Sequence, residues 1–138
     1  LIIDSEIYSQ IEEGLMVLLG IEDADTKEDI EWLADKIRKL RIFEDENGVM
    51  NLSVEDVKGE MMIVSQFTLH ASTKKGNRPT YIRASKPEFS KPMYESFVAR
   101  TREVFAGKVA TGVFGADMKI ELVNNGPTTI IIDTKNKE

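Results

Sequence analysis

The sequence of 138 residues contains no cysteine and only one histidine. Without cysteine it cannot form a disulfide, use a thiol nucleophile or bind zinc through thiolates. One histidine also excludes a metal site built from several histidines. We therefore expect a protein that uses neither a metal ion nor another cofactor, and we place it inside the cell, in the cytoplasm.

Long hydrophobic runs and excess basic charge are missing as well. The apolar run at residues 15–19 is too short to span a bilayer, and the acidic start lacks the basic flank of a signal peptide. We expect no membrane partner. Lysine and arginine number 18 against 24 aspartates and glutamates, which gives a net charge of −6. Overall attraction to nucleic acid is thus excluded, but a local basic patch can still contact phosphates.

What remains is a composition typical of one globular domain, with 41% apolar and 30% charged residues. A chain of this length buries roughly two-thirds of its unfolded surface. No repeat, linker or low-complexity segment divides it, so residues 1–138 are predicted to form a single domain. Short apolar runs alternate with two helical patterns, which predicts an α/β (α+β) fold: a mixed β-sheet or partly closed β-barrel with two packing α-helices.

Several strands follow from the apolar pattern of the first half of the chain. Short strands are predicted at residues 1–3 and 7–11, and the continuous apolar run 15–21 predicts a central strand buried on both faces. Another short strand, 49–52, follows a turn at Asn47-Gly48. The acidic residues 44–48 lack the ligand spacing of a calcium loop, so we interpret them as a solvated loop.

Two amphipathic helices are predicted. The first is capped by Asp25 or Thr26, and the second begins near Pro87 or Ser90 and is ended by Gly107. Trp32 is interpreted as a packing residue. The inner stripe of the first helix comprises Ile30, Leu33, Ala34, Ile37 and Leu40. The inner stripe of the second comprises Met93, Phe97, Val98, Thr101, Val104 and Phe105.

A strand predicted at residues 60–69 changes character halfway along. Its apolar half, residues 61–64, is followed by Ser65, Gln66, Phe67 and Thr68. Polar groups at the end of a buried strand need hydrogen-bond partners or a ligand. From the residues alone, hydroxyl bonds to neighbouring backbone and contact with a ligand remain equally open.

A basic loop follows this strand in an otherwise acidic chain. It carries Lys74, Lys75, Arg78 and Arg83, with a glycine and a proline among them. One interpretation is contact with phosphates, and the other is a solvated surface loop. The proximity of the polar strand end favours the first.

Near the end of the chain, a strand with an internal glycine is predicted at 109–114 and is followed by a turn at Gly115-Ala116. The alternating run 118–123 and the apolar run 130–132 then predict two more strands around residues 124–129. Asn-Gly is a common hairpin turn, but the proline after it removes a ladder donor. The loop is therefore expected to do more than reverse the chain.

Several of these runs occur together and in order, and they carry a family resemblance. They are residues 41–45, 51–53, 65–69, 74–79, 111–118 and 125–129. With them, the chain resembles the D-aminoacyl-tRNA deacylases, also called the D-tyrosyl-tRNA deacylase family, over nearly its whole length. Two positions depart from the family pattern: a methionine-led strand usually precedes the position of Leu1, and valine usually stands at the position of Thr128.

The resemblance implies a homodimer that hydrolyses the ester between a D-amino acid, or glycine, and the 3′-terminal adenosine of tRNA. Such an enzyme proofreads chirality, recycles tRNA and keeps D-amino acids out of translation. It further implies a cis peptide bond at Gly126-Pro127, which reaches into the pocket of the partner subunit and rejects L side chains there. The residues implied in substrate binding and chiral selection are Gly126, Pro127, Phe114, Ala116 and Met118.

The catalytic residues implied by the resemblance are Ser65, Gln66, Phe67, Thr68 and Thr129. The terminal ribose 2′-hydroxyl and backbone amides of residues 65–68, rather than a histidine-carboxylate relay, are implied to drive the reaction. His70 is expected at the surface. The implied contacts with the acceptor end of tRNA are Lys74, Lys75, Arg78 and Arg83.

Two other classes of function remain open. A non-catalytic RNA- or DNA-binding module would use the basic residues between 74 and 83 without needing Gly126-Pro127. A hydrolase of small D-amino-acid esters would need the pocket but not the basic loop. Assays on acylated tRNA separate these hypotheses.

Overall fold

The computed structural model describes residues 1–138 and contains two long helices and seven strands. Helix α1 spans Lys27–Lys39 and helix α2 spans Pro87–Val104. The strands are β1 (Ile2–Ile3), β2 (Glu6–Ile7), β3 (Gly14–Leu19), β4 (Phe43–Glu44), β5 (Met50–Leu52), β6 (Glu60–Ser65) and β7 (Val109–Thr111). The predicted mixed α/β fold with two helices is confirmed.

The strands form three sheets instead of one mixed sheet or a partly closed barrel. Strands β3, β6 and β7 form a parallel sheet in that order, whereas β1–β2 and β4–β5 are separate antiparallel hairpins. Parallel neighbours need long crossover connections. Here the β3–β6 crossover contains α1 and the β6–β7 crossover contains α2.

Strand β6 is the centre of the core. Its residues Met61 to Val64 are all buried. Met61 and Ile63 join the larger apolar cluster with both helices, whereas Met62 and Val64 belong to a smaller cluster on the opposite face with Leu1. The alternation of a strand thus puts two cores on the two faces of one sheet.

The expectation that residues 15–21 form a central strand buried on both faces is wrong. Strand β3 pairs only with β6 and lies at the edge of the parallel sheet. Leu18 is accordingly 43% exposed. Strand β6 pairs with both β3 and β7 and is the central strand instead.

Both helices follow the predicted pattern closely. Thr26 caps α1 and forms a capping box with Asp29, while Ala34 and Ile37 are buried. Pro87 is the first residue of α2. The buried stripe of α2 also includes Tyr94, whose hydroxyl donates to the Ile63 carbonyl at 2.7 Å. Neither helix is long and apolar enough to cross a membrane.

The two strands predicted at 118–123 and 130–132 do not form. Within this region only Lys119 pairs, as an isolated bridge with Ile2. The backbone has no neighbour to pair with, and only part of the apolar pattern that predicted the strands is buried. Ile120 and Ile132 pack against the two apolar clusters, whereas Val123 is 90% and Ile131 is 91% exposed. The loop between them contains the expected cis peptide bond at Gly126-Pro127.

Two other strands are shorter than predicted. Strand β2 ends at Ile7 instead of continuing to residue 11, and β7 ends at Thr111 instead of residue 114. After β7, the side chain of Met118 packs against the bare backbone of Gly112. A Cβ atom on that glycine would overlap the methionine sulfur. The turn predicted at Gly115-Ala116 is present, with Gly115 at a φ of 80°.

Candidate functional site

The polar segment after β6 turns instead of continuing as the predicted strand. Ser65 is the last residue of β6, and the Gln66 amide donates to the Leu19 carbonyl at 2.7 Å. A 3₁₀ helix, Phe67–His70, follows at once. The Gln66 side-chain amide donates to the Thr68 hydroxyl at 2.5 Å. The hydrogen bonds on both sides of the turn fix its backbone.

The amides of Phe67 and Thr68 are left free by this turn. They are the first amides of a helix, which have no acceptor within it. No carbonyl or side chain elsewhere accepts a hydrogen bond from them, whereas the Leu69 and Ala71 amides donate to Gln66 and Thr68. Two neighbouring free donors on a fixed backbone are suited to bind an oxygen that carries negative charge.

The expectation that His70 lies at the surface is wrong. Its side chain is only 20% exposed, and a Cβ atom placed on Gly20 would lie 3.0 Å from the ring. Nε2 lies 3.7 Å from the carboxylate of Glu22, and Nδ1 is buried without a partner. The prediction assumed strand alternation, but the 3₁₀ turn rotates the side chain inward.

The loop at residues 124–129 is held by one side chain. Asn124 Oδ1 accepts from the Thr128 amide at 3.2 Å, and its side-chain nitrogen donates to the Thr129 hydroxyl at 3.3 Å. Gly126 has a φ of +133°, which only glycine adopts without strain. Gly126, Pro127 and Thr129 are exposed. The loop is thus held by its own hydrogen bonds and is exposed to solvent.

No hydrogen bond or strand pairing joins this loop to residues 65–70 of the same chain. The structure of one chain therefore shows two separate groups of predicted site residues. One group follows β6, and the other is the loop containing Gly126-Pro127.

The other residues predicted for chiral selection have packing contacts in this chain. Phe114 is half-buried and its ring centroid lies 6.0 Å from that of Tyr94, at the edge of a cavity of about 400 Å³. Ala116 donates its amide to the Val113 carbonyl. Met118 packs against the smaller apolar cluster. Their predicted contact with substrate stays a prediction.

The basic loop is closed at its base by a two-residue bridge. The amides of Ser72 and Thr80 donate to each other's carbonyls at 2.8 and 3.0 Å. Four basic residues lie within the bridged loop or directly after it. All four are exposed and form neither an ion pair nor a hydrogen bond within the chain. They are Lys74, Lys75, Arg78 and Arg83. Their charges are therefore available to an external anion.

Two aromatic residues join the basic loop to the free amides: Phe67, which was expected at the site, and Tyr81, which was not. The ring of Tyr81 meets that of Phe67 edge to face with centroids 5.1 Å apart. Leu69 and Ile82 beside them are also exposed. An aromatic residue directly after a basic loop was the available signal, because stacking surfaces often accompany phosphate contacts.

Comparison with known proteins shows the family of this chain. The family described as D-Tyr-tRNA(Tyr) deacylase matches residues 1–133. The chain belongs to this deacylase family. Proteins named D-aminoacyl-tRNA deacylase from Flavobacterium psychrophilum and Parabacteroides distasonis are 62% and 64% identical to it over 136 residues. Each alignment covers 99% of this chain and 91% of the relative.

Two solved structures resemble this deacylase-family chain. One is named c-Myc DNA Unwinding Element Binding Protein and has a TM-score of 0.88 at 39% identity, covering 94% of this chain and 87% of that one. The other is named as a probable eukaryotic D-amino acid tRNA deacylase, with a TM-score of 0.69 over 84% of this chain and 83% of that one. At 17% identity, the second likeness concerns the fold alone.

Proposed function

We propose that residues 1–138 act as one D-aminoacyl-tRNA deacylase domain in the cytoplasm. The reaction is hydrolysis of the ester between a D-amino acid, or glycine, and the 3′-terminal adenosine of tRNA. Family membership over nearly the whole chain supports the substrate class. The observation that carries the chemistry is the pair of free amides at Phe67 and Thr68, beside an exposed basic loop.

The free amides stabilise the reaction where charge develops. When water attacks the ester carbonyl, its oxygen becomes negative, and donors already in position lower the barrier. One such donor is worth about 2.7–4 kcal/mol. The hydrogen bond between the side chains of Gln66 and Thr68 holds this backbone, and Ser65 lies directly before it as the last residue of β6. The terminal ribose 2′-hydroxyl assists in activating the water or the ester.

Thr129 is not the nucleophile in this scheme. A threonine hydroxyl needs a positioned base to take its proton. Its one side-chain partner is the Asn124 amide nitrogen, which donates to it and cannot accept a proton. Thr129 instead orients the loop that carries Gly126-Pro127.

The protein acts as a homodimer, and an exposed apolar surface supports this. We define the C-terminal apolar face as Leu122, Val123, Ile130 and Ile131. Each of them is more than half exposed on a stretch of backbone without a strand partner. Monomers rarely leave such a surface and such an edge uncovered. A second copy covers both by two-fold symmetry.

The dimer gives the loop at 124–129 its role in specificity. This loop connects the two halves of the C-terminal apolar face, so covering the face brings Gly126-Pro127 against the partner subunit. There, backbone atoms form a wall beside the pocket, since glycine allows close approach. The wall excludes an L side chain and leaves space for a D one. Phe114, Ala116 and Met118 complete the lining.

Lys74, Lys75, Arg78 and Arg83 bind the phosphates of the acceptor end. The exposed ring of Phe67, which carries one of the free amides, contacts the exposed ring of Tyr81 at the end of the basic loop, and an unpaired terminal base can stack there. The net charge of −6 makes this local patch, rather than overall charge, responsible for tRNA binding.

The rival functions require different parts of the structure. A nucleic-acid-binding module, suggested by the name of one similar structure, needs the basic loop alone. A hydrolase of small esters needs only the pocket. We would measure release of D-tyrosine from D-tyrosyl-tRNA beside L-tyrosyl-tRNA and a free D-tyrosine ester. Rapid release from the first substrate alone is expected. Binding without release, or equal activity on the free ester, would overturn the proposal.

A further inference from the structure

The turn that begins α1 contacts the chain at three distant places. We call residues 22–29 the acidic turn. Glu22 lies 3.7 Å from the ring of His70, Asp23 accepts from the Ser85 hydroxyl at 2.6 Å, and Asp29 binds Lys135 at 2.7 Å. The three partners follow the free amides, the basic loop and the loop at 124–129, respectively.

We propose that the acidic turn is a positioning element that holds these three segments relative to one another. The proposal rests on the proposed function, which assigns the free amides and the basic loop to the site of their own subunit and the loop at 124–129 to the site of the partner. None of the acidic residues touches the substrate. They act through His70, Ser85 and Lys135, each of which lies at the end of a site segment.

The Asp29–Lys135 pair is the strongest of the three contacts. Asp29 is only 14% exposed. Its partial burial raises the pKa of its carboxyl, but hydrogen bonds from Lys135, the Thr26 backbone and the Thr134 hydroxyl outweigh burial and hold that pKa well below its usual range. The same bond raises the pKa of Lys135. A partly buried pair with several hydrogen bonds contributes more than an exposed one.

Lys135 matters because the segment before it has few other restraints. Residues 120–132 have no strand partner, and the bridge between Ile2 and Lys119 holds only one end. Within the segment, Ile120 and Ile132 pack against the two apolar clusters, whereas the residues between 122 and 131 are mostly exposed. Lys135 holds the other end, and Lys137 adds a contact 4.5 Å from the centre of the Trp32 ring. The loop with Gly126-Pro127 therefore lies between two anchors, one of which is the acidic turn.

Ser85 fixes the end of the basic loop in the same way. It is buried, its amide donates to the Ile21 carbonyl at 2.9 Å, and its hydroxyl donates to Asp23. His70 is packed against Gly20, so the 3₁₀ helix with the free amides abuts the residues leading into the turn. One short turn thus receives a contact from each site segment.

The test removes the charge of Lys135 and leaves the cap of α1 at Thr26 intact. Lys135→Gln breaks the pair but leaves Asp29 in its capping box, and Lys135→Arg keeps the charge. Lys27→Gln removes an exposed charge within the same turn that contacts none of the three segments, and it is the matched control. Amide hydrogen exchange is measured by residue range in each variant, and kcat and KM are measured on D-tyrosyl-tRNA.

For Lys135→Gln we expect exchange within residues 120–132 to rise about tenfold at the Thr128 amide, the one amide of this range that donates to an acceptor in the chain, while the rest of the chain keeps wild-type protection. We expect kcat to fall by a similar factor at unchanged KM, with recovery in Lys135→Arg and no change in Lys27→Gln. Unchanged exchange at 120–132, or a uniform rise throughout the chain, would overturn the proposal. Exchange needs no activity, so an inactive wild-type protein would count only against the proposed function.

Ser85→Ala is the second variant, because it removes a different contact of the same turn. Exchange is expected to rise at residues 72–84 and stay constant at 120–132. The expected kinetic effect is a higher KM for tRNA at unchanged kcat, the reverse of Lys135→Gln. If both variants gave the same exchange pattern, the turn would be a general structural element and not a positioning one.

Discussion

The two groups of site residues differ in how one chain supports them. The free amides follow β6, the most buried strand, and hydrogen bonds at Gln66, Leu69 and Ala71 fix the turn around them. The loop at 124–129 has the two bonds of Asn124 and lies between stretches of exposed apolar residues. One group is fixed by the core of a single chain, whereas the other has few contacts within it.

This difference matches the two tasks of the proposed enzyme. Lowering a barrier requires donors held within a fraction of an ångström, and a rigid scaffold provides this best. Rejecting the wrong mirror image requires a wall opposite the pocket, and a second subunit can supply such a wall. Chemistry is therefore assigned to the core of each subunit, and chiral selection to the contact between subunits.

The largest expected effect comes from a charge on the C-terminal apolar face. Ile131→Glu would bury an unpaired carboxylate in the proposed interface, which costs several kcal/mol, about 3–5 for an unpaired buried charge. We expect sedimentation at micromolar concentration to show monomers and deacylation to fall to background. The fold of each subunit should survive, because Ile131 is exposed in it.

Ile82→Glu is the control for this experiment. Ile82 is 89% exposed, similar to Ile131, but it lies beside the basic loop and outside the C-terminal apolar face. This variant should remain dimeric. A fully active Ile131→Glu monomer would remove the cross-subunit arrangement.

The next effect concerns the amides and should not depend on the dimer. Phe67→Pro removes one free donor at the first position of the 3₁₀ helix, where proline is tolerated. We expect kcat to fall about 10²–10³-fold, the usual loss for one such donor. Phe67→Ala keeps the amide and removes only the ring, so it should lose much less. Equal losses in the two variants would show that the ring, not the amide, matters.

Substituting the basic residues of the loop should weaken tRNA binding without affecting the free amides or the loop at 124–129. In the triple variant Lys74→Ala, Lys75→Ala and Arg78→Ala, the slope of log binding constant against log salt should decrease by about one per lost phosphate contact. The effect should be the same for all tRNA sequences. Lys27→Ala, which removes an exposed lysine elsewhere, is the control. An unchanged salt slope would exclude this loop from the tRNA site.

The smallest effect is expected at Thr129. Thr129→Ala removes one long hydrogen bond with Asn124, so turnover should stay within about tenfold of wild type. Replacing the 2′-hydroxyl of the terminal adenosine with hydrogen should cost far more. Mass spectrometry of enzyme quenched during turnover checks for an acyl-enzyme. An aminoacyl adduct on Thr129, with a dead alanine variant, would refute the mechanism.

Features determined by neighbouring residues were predictable from the sequence. The cap at Thr26 and the apolar stripe of α1 depend on spacings of three and four residues, and both are present. The turn at Asn47-Gly48 likewise forms between β4 and β5, with Gly48 at a φ of 73°. Such elements need no knowledge of distant parts of the chain.

Features determined by distant partners were not predictable. Whether β3 or β6 is central depends on where β7 pairs, and β7 lies more than 40 residues after β6. Residues 118–123 and 130–132 have a strand pattern, but the pattern alone does not supply a partner. The inward side chain of His70 depended on a 3₁₀ turn that the apolar-to-polar change did not reveal.

The most direct test of a site shared between two subunits is complementation between two inactive variants. Gly126→Ala damages the wall, because its Cβ would lie 2.6 Å from the Thr128 hydroxyl at a φ that alanine rarely adopts. Phe67→Pro damages the donors. The two variants are unfolded together, refolded as a mixture, and assayed on D-tyrosyl-tRNA beside each variant refolded alone.

If the loop of one subunit serves the pocket of the other, each mixed dimer has one intact site, formed by the undamaged half of each chain. Random pairing makes about half of the dimers mixed, so the mixture should recover about one quarter of wild-type activity. If both halves of a site come from the same chain, every site in the mixture carries a defect. Activity no higher than that of the separate variants would therefore contradict the account.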